Sequence, residues 1–138
     1  MRYNQSTSQP GTILFLDQHK VNRQITRQIL TKNGFHIVDS DNREDGIQMI
    51  DKTHPDIVVT DLFMPQLGGI GIITYMAEHY PQIPVIATCR FKEAPYLKVA
   101  KHLGAFSGLC KPFSEAELLY VIREALKTRN TTKMKNGA

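Results

Sequence analysis

Residues 56–65 read "DIVVTDLFMP". Ile57, Val58 and Val59 form a short apolar, β-branched run, and "DIVVT" (56–60) predicts a strand buried on both faces. Asp61 follows it directly, and Pro65 comes four residues later. An aspartate in that place is either an ordinary turn residue or a carboxylate held at the tip of a buried strand. The rest of the chain has to decide between the two.

Working outward, four more segments have the character of strands. "TILFL" (12–16), "FHIVD" and "IPVIAT" are apolar and partly β-branched, and "AFSGLC" is a poorer, glycine-containing version. Helical stretches separate them. "KVNRQITRQILTKNG" places Val21, Ile25, Ile29 and Leu30 on one face and stops at Asn33-Gly34. "REDGIQMI" turns Ile47 and Ile50 inward. "IGIITYMAEH" follows the loop "MPQLGG". "EAPYLKVAKHLG" tolerates Pro95 only in its first turn. "SEAELLYVIREAL" opens with a Ser114–Glu117 capping box. Strand and helix alternate five times, and the strands are continuous apolar runs. This predicts an α/β fold, a doubly wound five-stranded parallel sheet with helices on both faces.

The 138 residues suit one domain, and 41% hydrophobic with 22% charged residues is ordinary for a globular chain. No apolar run is long enough for a membrane span, and the polar "MRYNQSTSQPGT" lacks the pattern of a secretory signal. A cytoplasmic location without membrane contact is expected. Cys89 and Cys110 do not make a disulfide framework, and no Cys/His cluster has the spacing of a zinc site. The net charge of +4 owes something to Lys127, Arg129, Lys133 and Lys135 near the end. With no aromatic platform among them, a solvated tail is expected there and a nucleic-acid partner is not.

In doubly wound sheets the ligand crevice lies beyond the carboxyl ends of the strands. That rule selects Asp17, Asp61, Cys89 and Lys111. Two nearby carboxylates stay ionised only if a cation joins them. A lysine supplies one charge, and Mg²⁺ favours carboxylate and carbonyl oxygens with water. An aspartate beside a metal and a lysine suits phosphoryl transfer, with the carboxylate as nucleophile. Taken singly, each of these residues has an ordinary structural explanation; their order and spacing are more specific.

At these residues the chain resembles the receiver domain of bacterial two-component response regulators. The resemblance runs from about Thr12 to Leu126. "ILFLDQHKVNRQITRQIL" looks like the first strand, acidic pocket and first helix. "PDIVVTDLFMPQLGG" looks like the phosphoacceptor strand and loop, "PVIATC" like the fourth strand, and "LGAFSGLCKPF" like the lysine–proline segment. The resemblance implies a flavodoxin-like fold over residues 12–128. A flexible segment (1–11) would precede it and a basic flexible tail (129–138) would follow. Asp61 would accept a phosphoryl group from a histidine kinase or phosphotransfer protein. Lys111 would pair with the acyl phosphate. Asp17, Gln18, Asp61 and the Phe63 carbonyl would hold Mg²⁺. A downstream protein would bind the face made by helix 4, strand 5 and helix 5, and a homodimer is among the assemblies the resemblance allows. Tyr96, Val99, Leu103, Leu119, Tyr120 and Ile122 are candidates for that face, some of them being core.

Three positions depart from the family pattern. The acidic pair reads Asp17-Gln18, and an uncharged amide predicts weaker Mg²⁺ binding or none. Cys89, with Arg90 after it, stands where a serine or threonine and a small residue belong, so the catalytic and switching hydroxyl becomes a weak thiol donor. Thr88, one residue earlier, would point to the opposite face; a one-residue slip would restore it, although the family's spacing to Lys111 fits Cys89 better. Gly108 stands where the family has a mobile aromatic ring. Arg90 or Lys111 pairing directly with Asp61 would replace the metal. His19 is read as a plain start-of-helix residue, and Cys89 as a small buried hydrophobe rather than a reactive thiol.

Three functions compete at this stage. One is a receiver with impaired phosphorylation and altered switching. Another is a phosphorylation-independent pseudo-receiver that acts as a protein–protein interaction module. The third, a small α/β enzyme, is disfavoured: there is no GxxxxGK[ST] or GxGxxG loop, and Leu-Phe follows Asp61 where a phosphatase would carry a second acid.

Overall fold

The computed structural model describes the backbone of residues 11–137 and the side chains of residues 11–66 and 68–128. The expected N-terminal segment lies outside these, apart from Gly11. The elements follow in the order β1 (Thr12–Leu16), α1 (Lys20–Lys32), β2 (His36–Ser40), α2 (Arg43–Thr53), β3 (Ile57–Asp61), α3 (Gly68–His79), β4 (Val85–Arg90), α4 (Tyr96–Leu103), β5 (Ser107–Lys111) and α5 (Glu115–Gly137). Short 3-10 turns at Pro65–Leu67 and Phe91–Glu93 precede α3 and α4. The backbone of α5 thus continues through most of the segment expected to be a tail.

All neighbouring strands are parallel, in the order β2-β1-β3-β4-β5. The chain reverses its direction of travel across the sheet between β1 and β3, so the crevice opens where Asp17 and Asp61 lie. β1 falls where expected, and the other four strands run one or two residues later than the apolar runs suggested. Asp61, Arg90 and Lys111 are therefore the last residues of their strands rather than the first of their loops.

Alternation along the strands sorts the core into two layers. Leu14, Leu16, Val58, Ala87 and Cys89 pack with Ile50, Ile72, Ile73 and Met76 of α2 and α3. Ile13, Phe15, Ile57, Val59 and Ile86 pack with Leu30 of α1 and with Leu118 and Ile122 of α5. Caps fix the helix starts. The Asn42 side chain accepts the Asp45 N–H at 2.8 Å. The Ser114–Glu117 box closes as expected, at 2.8 and 3.0 Å.

The α1 stripe departs from expectation. Thr26 and Leu30 are its buried residues, whereas Val21 and Ile25 are 64% and 51% exposed. Ile25 and Ile29 line the crevice that holds the acidic pocket. The apolar stripe on this helix therefore serves a groove as well as a core.

Candidate functional site

The loop after β1 and the ends of β3 and β5 bring three charged groups together. Lys111 Nζ lies 3.1 Å from Asp17 Oδ2 and 3.2 Å from Asp61 Oδ2. Both acids are buried, and Lys111 is mostly so. The other Asp17 oxygen accepts the His19 backbone N–H at 2.9 Å, which turns the start of α1 toward the pocket. Arg23 Nη1 donates to the Asp17 carbonyl at 2.7 Å. The Asp61 carboxylate also accepts the Phe63 backbone N–H.

Burial pushes the Asp61 carboxyl above the usual carboxylate range, and neighbouring Asp17 adds to this; Lys111 and the Phe63 N–H oppose it. The strand tip is held rigidly. Leu62 N donates to the Thr88 carbonyl at 2.7 Å. A Cβ at Gly69 would collide with the carbonyl oxygens of Asp61 and Leu62, so glycine is required for α3 to start against the tip.

Gln18 lies beside this cluster, and its Nε2 donates to the Phe63 carbonyl at 3.4 Å, a long contact. The oxygen atoms around the pocket, two carboxylates with the Phe63 carbonyl and the Gln18 amide, are of the kind Mg²⁺ selects. In this arrangement Lys111 and the Gln18 amide engage several of them.

Cys89 is fully buried in the layer beneath α2, α3 and α4, while Thr88 is the register partner of Asp61 and shares its face. The expectation that Thr88 faces away from the site therefore needs correction, because the β3–β4 register pairs it with Asp61 itself. Burial first, then the neighbouring Cys110, pushes the Cys89 thiol up to about 11, so it is protonated at neutral pH. Gly108 faces α4, where the space a side chain would occupy is filled by Leu97; an added Cβ would meet Leu97 Cδ2 at 2.8 Å. Arg90 pairs with Glu93, Nη2 to Oε2 at 2.9 Å, and not with the pocket carboxylates. Among the described residues no group of three or more His, Cys, Asp or Glu is placed to hold a metal, and His19 contributes to the pocket through its backbone.

Three further residues went unnoticed in the sequence: Glu93, Leu97 and Phe113. The Arg-to-Glu spacing in "RFKE" was a readable signal for Glu93. Leu97 could be found only from the packing of α4. Phe113 joins Ile25, Ile29 and Phe15 along a cavity of about 920 Å³ that runs from α1 to Asp61.

The comparisons with known proteins agree with this geometry. A family model described as the response regulator receiver domain matches residues 13–123. The DNA-binding transcriptional regulator NtrC of Proteus hauseri is 26% identical over 130 residues, covering 94% of this chain and 28% of that protein. The regulatory protein AtoC of Escherichia coli is 28% identical over 121 residues, 88% of this chain and 26% of that protein. The chain thus spans about a quarter of the length of these relatives. A receiver domain structure from Clostridium thermocellum superposes with a TM-score of 0.83 at 24% identity, covering 88% of this chain and 98% of that one. NtrX from Brucella abortus, in complex with ADP, superposes with a TM-score of 0.88 at 21% identity, over 91% of this chain and 29% of that one. At these identities the structures support the fold. With the family model covering most of its length, the chain belongs to the response regulator receiver domain family.

Proposed function

We propose that the chain accepts a phosphoryl group on Asp61 from a phosphohistidine of a histidine kinase or phosphotransfer protein. The observation that carries this reading is Lys111 lying within 3.2 Å of both Asp17 and Asp61 at one strand-end pocket. An Asp61 carboxylate oxygen attacks phosphorus, the P–N bond breaks, and its electron pair returns to the imidazole, which then takes a proton from solvent. Lys111 orients the acid and draws charge from the transferring oxygens. Asp17 holds Lys111 in place. The groove lined by Ile25, Ile29 and Phe113 gives a helix bearing the histidine an apolar approach to Asp61.

Asp17, Asp61 and the Phe63 carbonyl would hold Mg²⁺, with the Gln18 amide oxygen joining them once the amide turns. When bound, the ion neutralises charge on the phosphoryl group. Gln18 lacks the charge of an acid, and Lys111 already neutralises part of the pocket, so we expect weak binding and slow phosphorylation. Switching is altered as well. The hydroxyl on the Asp61 face comes from Thr88 while Cys89 turns into the core, and Leu97 fills the space over Gly108. The domain acts by contact and catalyses no other reaction. Its downstream partner binds the α4–β5–α5 face, where Tyr96, Val99 and Tyr120 are exposed; Leu119 and Ile122 are buried. No helix among the described residues is long and apolar enough to cross a membrane.

The changes at Gln18 and Gly108 favour a second reading, a phosphorylation-independent interaction module. Incubation with acetyl phosphate and Mg²⁺, followed by intact-mass measurement, separates the two. The first reading predicts the gain of one phosphoryl group in the wild type and none in Asp61→Asn. No gain at millimolar metal favours the second.

A further inference from the structure

Arg90 is the last residue of β4, the register neighbour of Lys111, and lies two residues from Thr88 on the face shared with Asp61. It lines the same cavity as Asp61 and Lys111. Its guanidinium is nevertheless parked elsewhere. Nη2 donates to Glu93 Oε2 at 2.9 Å, and Glu93 Oε1 accepts the Arg90 backbone N–H at 2.9 Å. The pair closes the Phe91–Glu93 turn that leads toward α4. The arginine side chain is 64% exposed, so it is not locked by packing. Asp61 is close enough to add to the charge stabilisation of Arg90, after Glu93.

Donors at the pocket are few. The buried Thr88 hydroxyl shares the Asp61 face, Cys89 is turned into the opposite core layer, and two contacts of Lys111 are already made to Asp17 and Asp61. A phosphoryl group on Asp61 brings up to two negative charges and several acceptor oxygens. A guanidinium fork binds such a group more strongly than it binds one surface carboxylate. We infer that Arg90 is a latched phosphoryl ligand, held on Glu93 while Asp61 is free and moved onto the phosphoryl oxygens once Asp61 is modified. The move releases Glu93 and loosens the turn before α4, which links the chemistry to the proposed partner face. No covalent step is involved. The inference rests on the phosphoacceptor reading of Asp61 and adds a positioning role for a residue outside the acidic pocket.

Beryllofluoride, titrated with Mg²⁺ into the 138-residue chain and followed by NMR, tests the latch. Arg90→Ala should weaken its binding about tenfold, the scale of a lost charge-assisted hydrogen bond. Arg90→Lys should fall in between. Glu93→Gln should tighten binding, because the competing carboxylate is gone. In the wild type the Arg90 side-chain Nε–Hε signal should shift on addition. A pair that merely braces the turn would give Arg90→Ala and Glu93→Gln the same sign, and that result would overturn the latch. So would unchanged affinity in Arg90→Ala while Asp61→Asn loses binding, an outcome that leaves the phosphoacceptor reading intact. No mass gain from acetyl phosphate in the wild type would overturn that reading itself.

Discussion

Asp61 and Asp51 each sit between two partners, one at the strand-end pocket and the other at the ends of α2 and α3. Lys111 and the Phe63 N–H engage Asp61. The hydroxyls of Tyr75 and Tyr80 donate to Asp51 Oδ1 at 2.7 and 2.8 Å, with His79 stacked on Tyr75 and His54 edge-on to Tyr80. The outcomes are opposite. Asp51 is exposed, and its hydrogen bonds hold the carboxyl below its ordinary value. Asp61 is buried beside a second acid, and burial outweighs its cation. Favourable partners alone do not set the state of an acid; the water it has lost counts for more. A carboxylate kept costly in this way is poised to react, while one comfortably solvated is a strut. The Tyr75 hydroxyl, correspondingly, is pushed up to about 12 by Asp51.

Removing the cation should break this contrast most severely. Lys111→Met leaves two buried acids facing each other, and we expect a loss on the order of 3 kcal/mol near neutral pH, read by urea unfolding. The loss should shrink as pH falls and the acids protonate. A change as small as a surface substitution would mean that the pocket is solvated like the Asp51 cluster.

Gln18→Glu adds charge to the pocket where Lys111→Met removes it. One more carboxylate near Lys111 should raise Mg²⁺ affinity roughly tenfold, since a unit charge at about 4 Å is worth several kcal/mol before desolvation. Titration calorimetry would show it, and equal affinities would locate the weakness outside position 18.

Asp61→Asn should stabilise the fold. The folded carboxyl titrates above its ordinary value of 3.8 because burial disfavours the charged form. Its contribution is therefore fully present below the unfolded pKa and is lost as pH rises through the folded one. An amide escapes that loss. The advantage of the variant in thermal unfolding should be absent in acid and grow toward neutral pH. A variant less stable than wild type at pH 7 would show that the Lys111 contact outweighs burial.

The smallest effect is expected at the exposed acid. In the Tyr75→Phe, Tyr80→Phe double variant the Asp51 titration, followed by carboxyl NMR, should move up toward 3.8, its ordinary value. The depressed pKa makes this contribution present above the unfolded value and lost as pH falls through the folded one. The variant should therefore lose a little stability at neutral pH and none in strong acid.

Much of the molecule was legible in its residues. Continuous apolar strands fixed the layering, and the strand-end rule points to Asp17, Asp61 and Lys111, though it also points to Cys89, which lies in the core. Side-chain partners were harder to read. Val21 and Ile25 have the right period for a core stripe, yet periodicity cannot tell a core from a groove. Thr88 and Cys89 could be told apart only through the β3–β4 register, which pairs Thr88 with Asp61. Arg90 had two acids within plausible reach, and the backbone turn at Phe91–Glu93 gave it to the nearer one in sequence. Leu97 over Gly108 depends on how α4 packs, which no local pattern encodes.

In the proposed function Asp61 itself carries the phosphoryl group. Borohydride reduction of the acetyl phosphate-treated chain converts an aspartyl phosphate to homoserine, which peptide mapping can locate. Homoserine is expected at position 61 in the wild type and none in Lys111→Met. Unreduced aspartate at position 61, or homoserine at any other position, would contradict it.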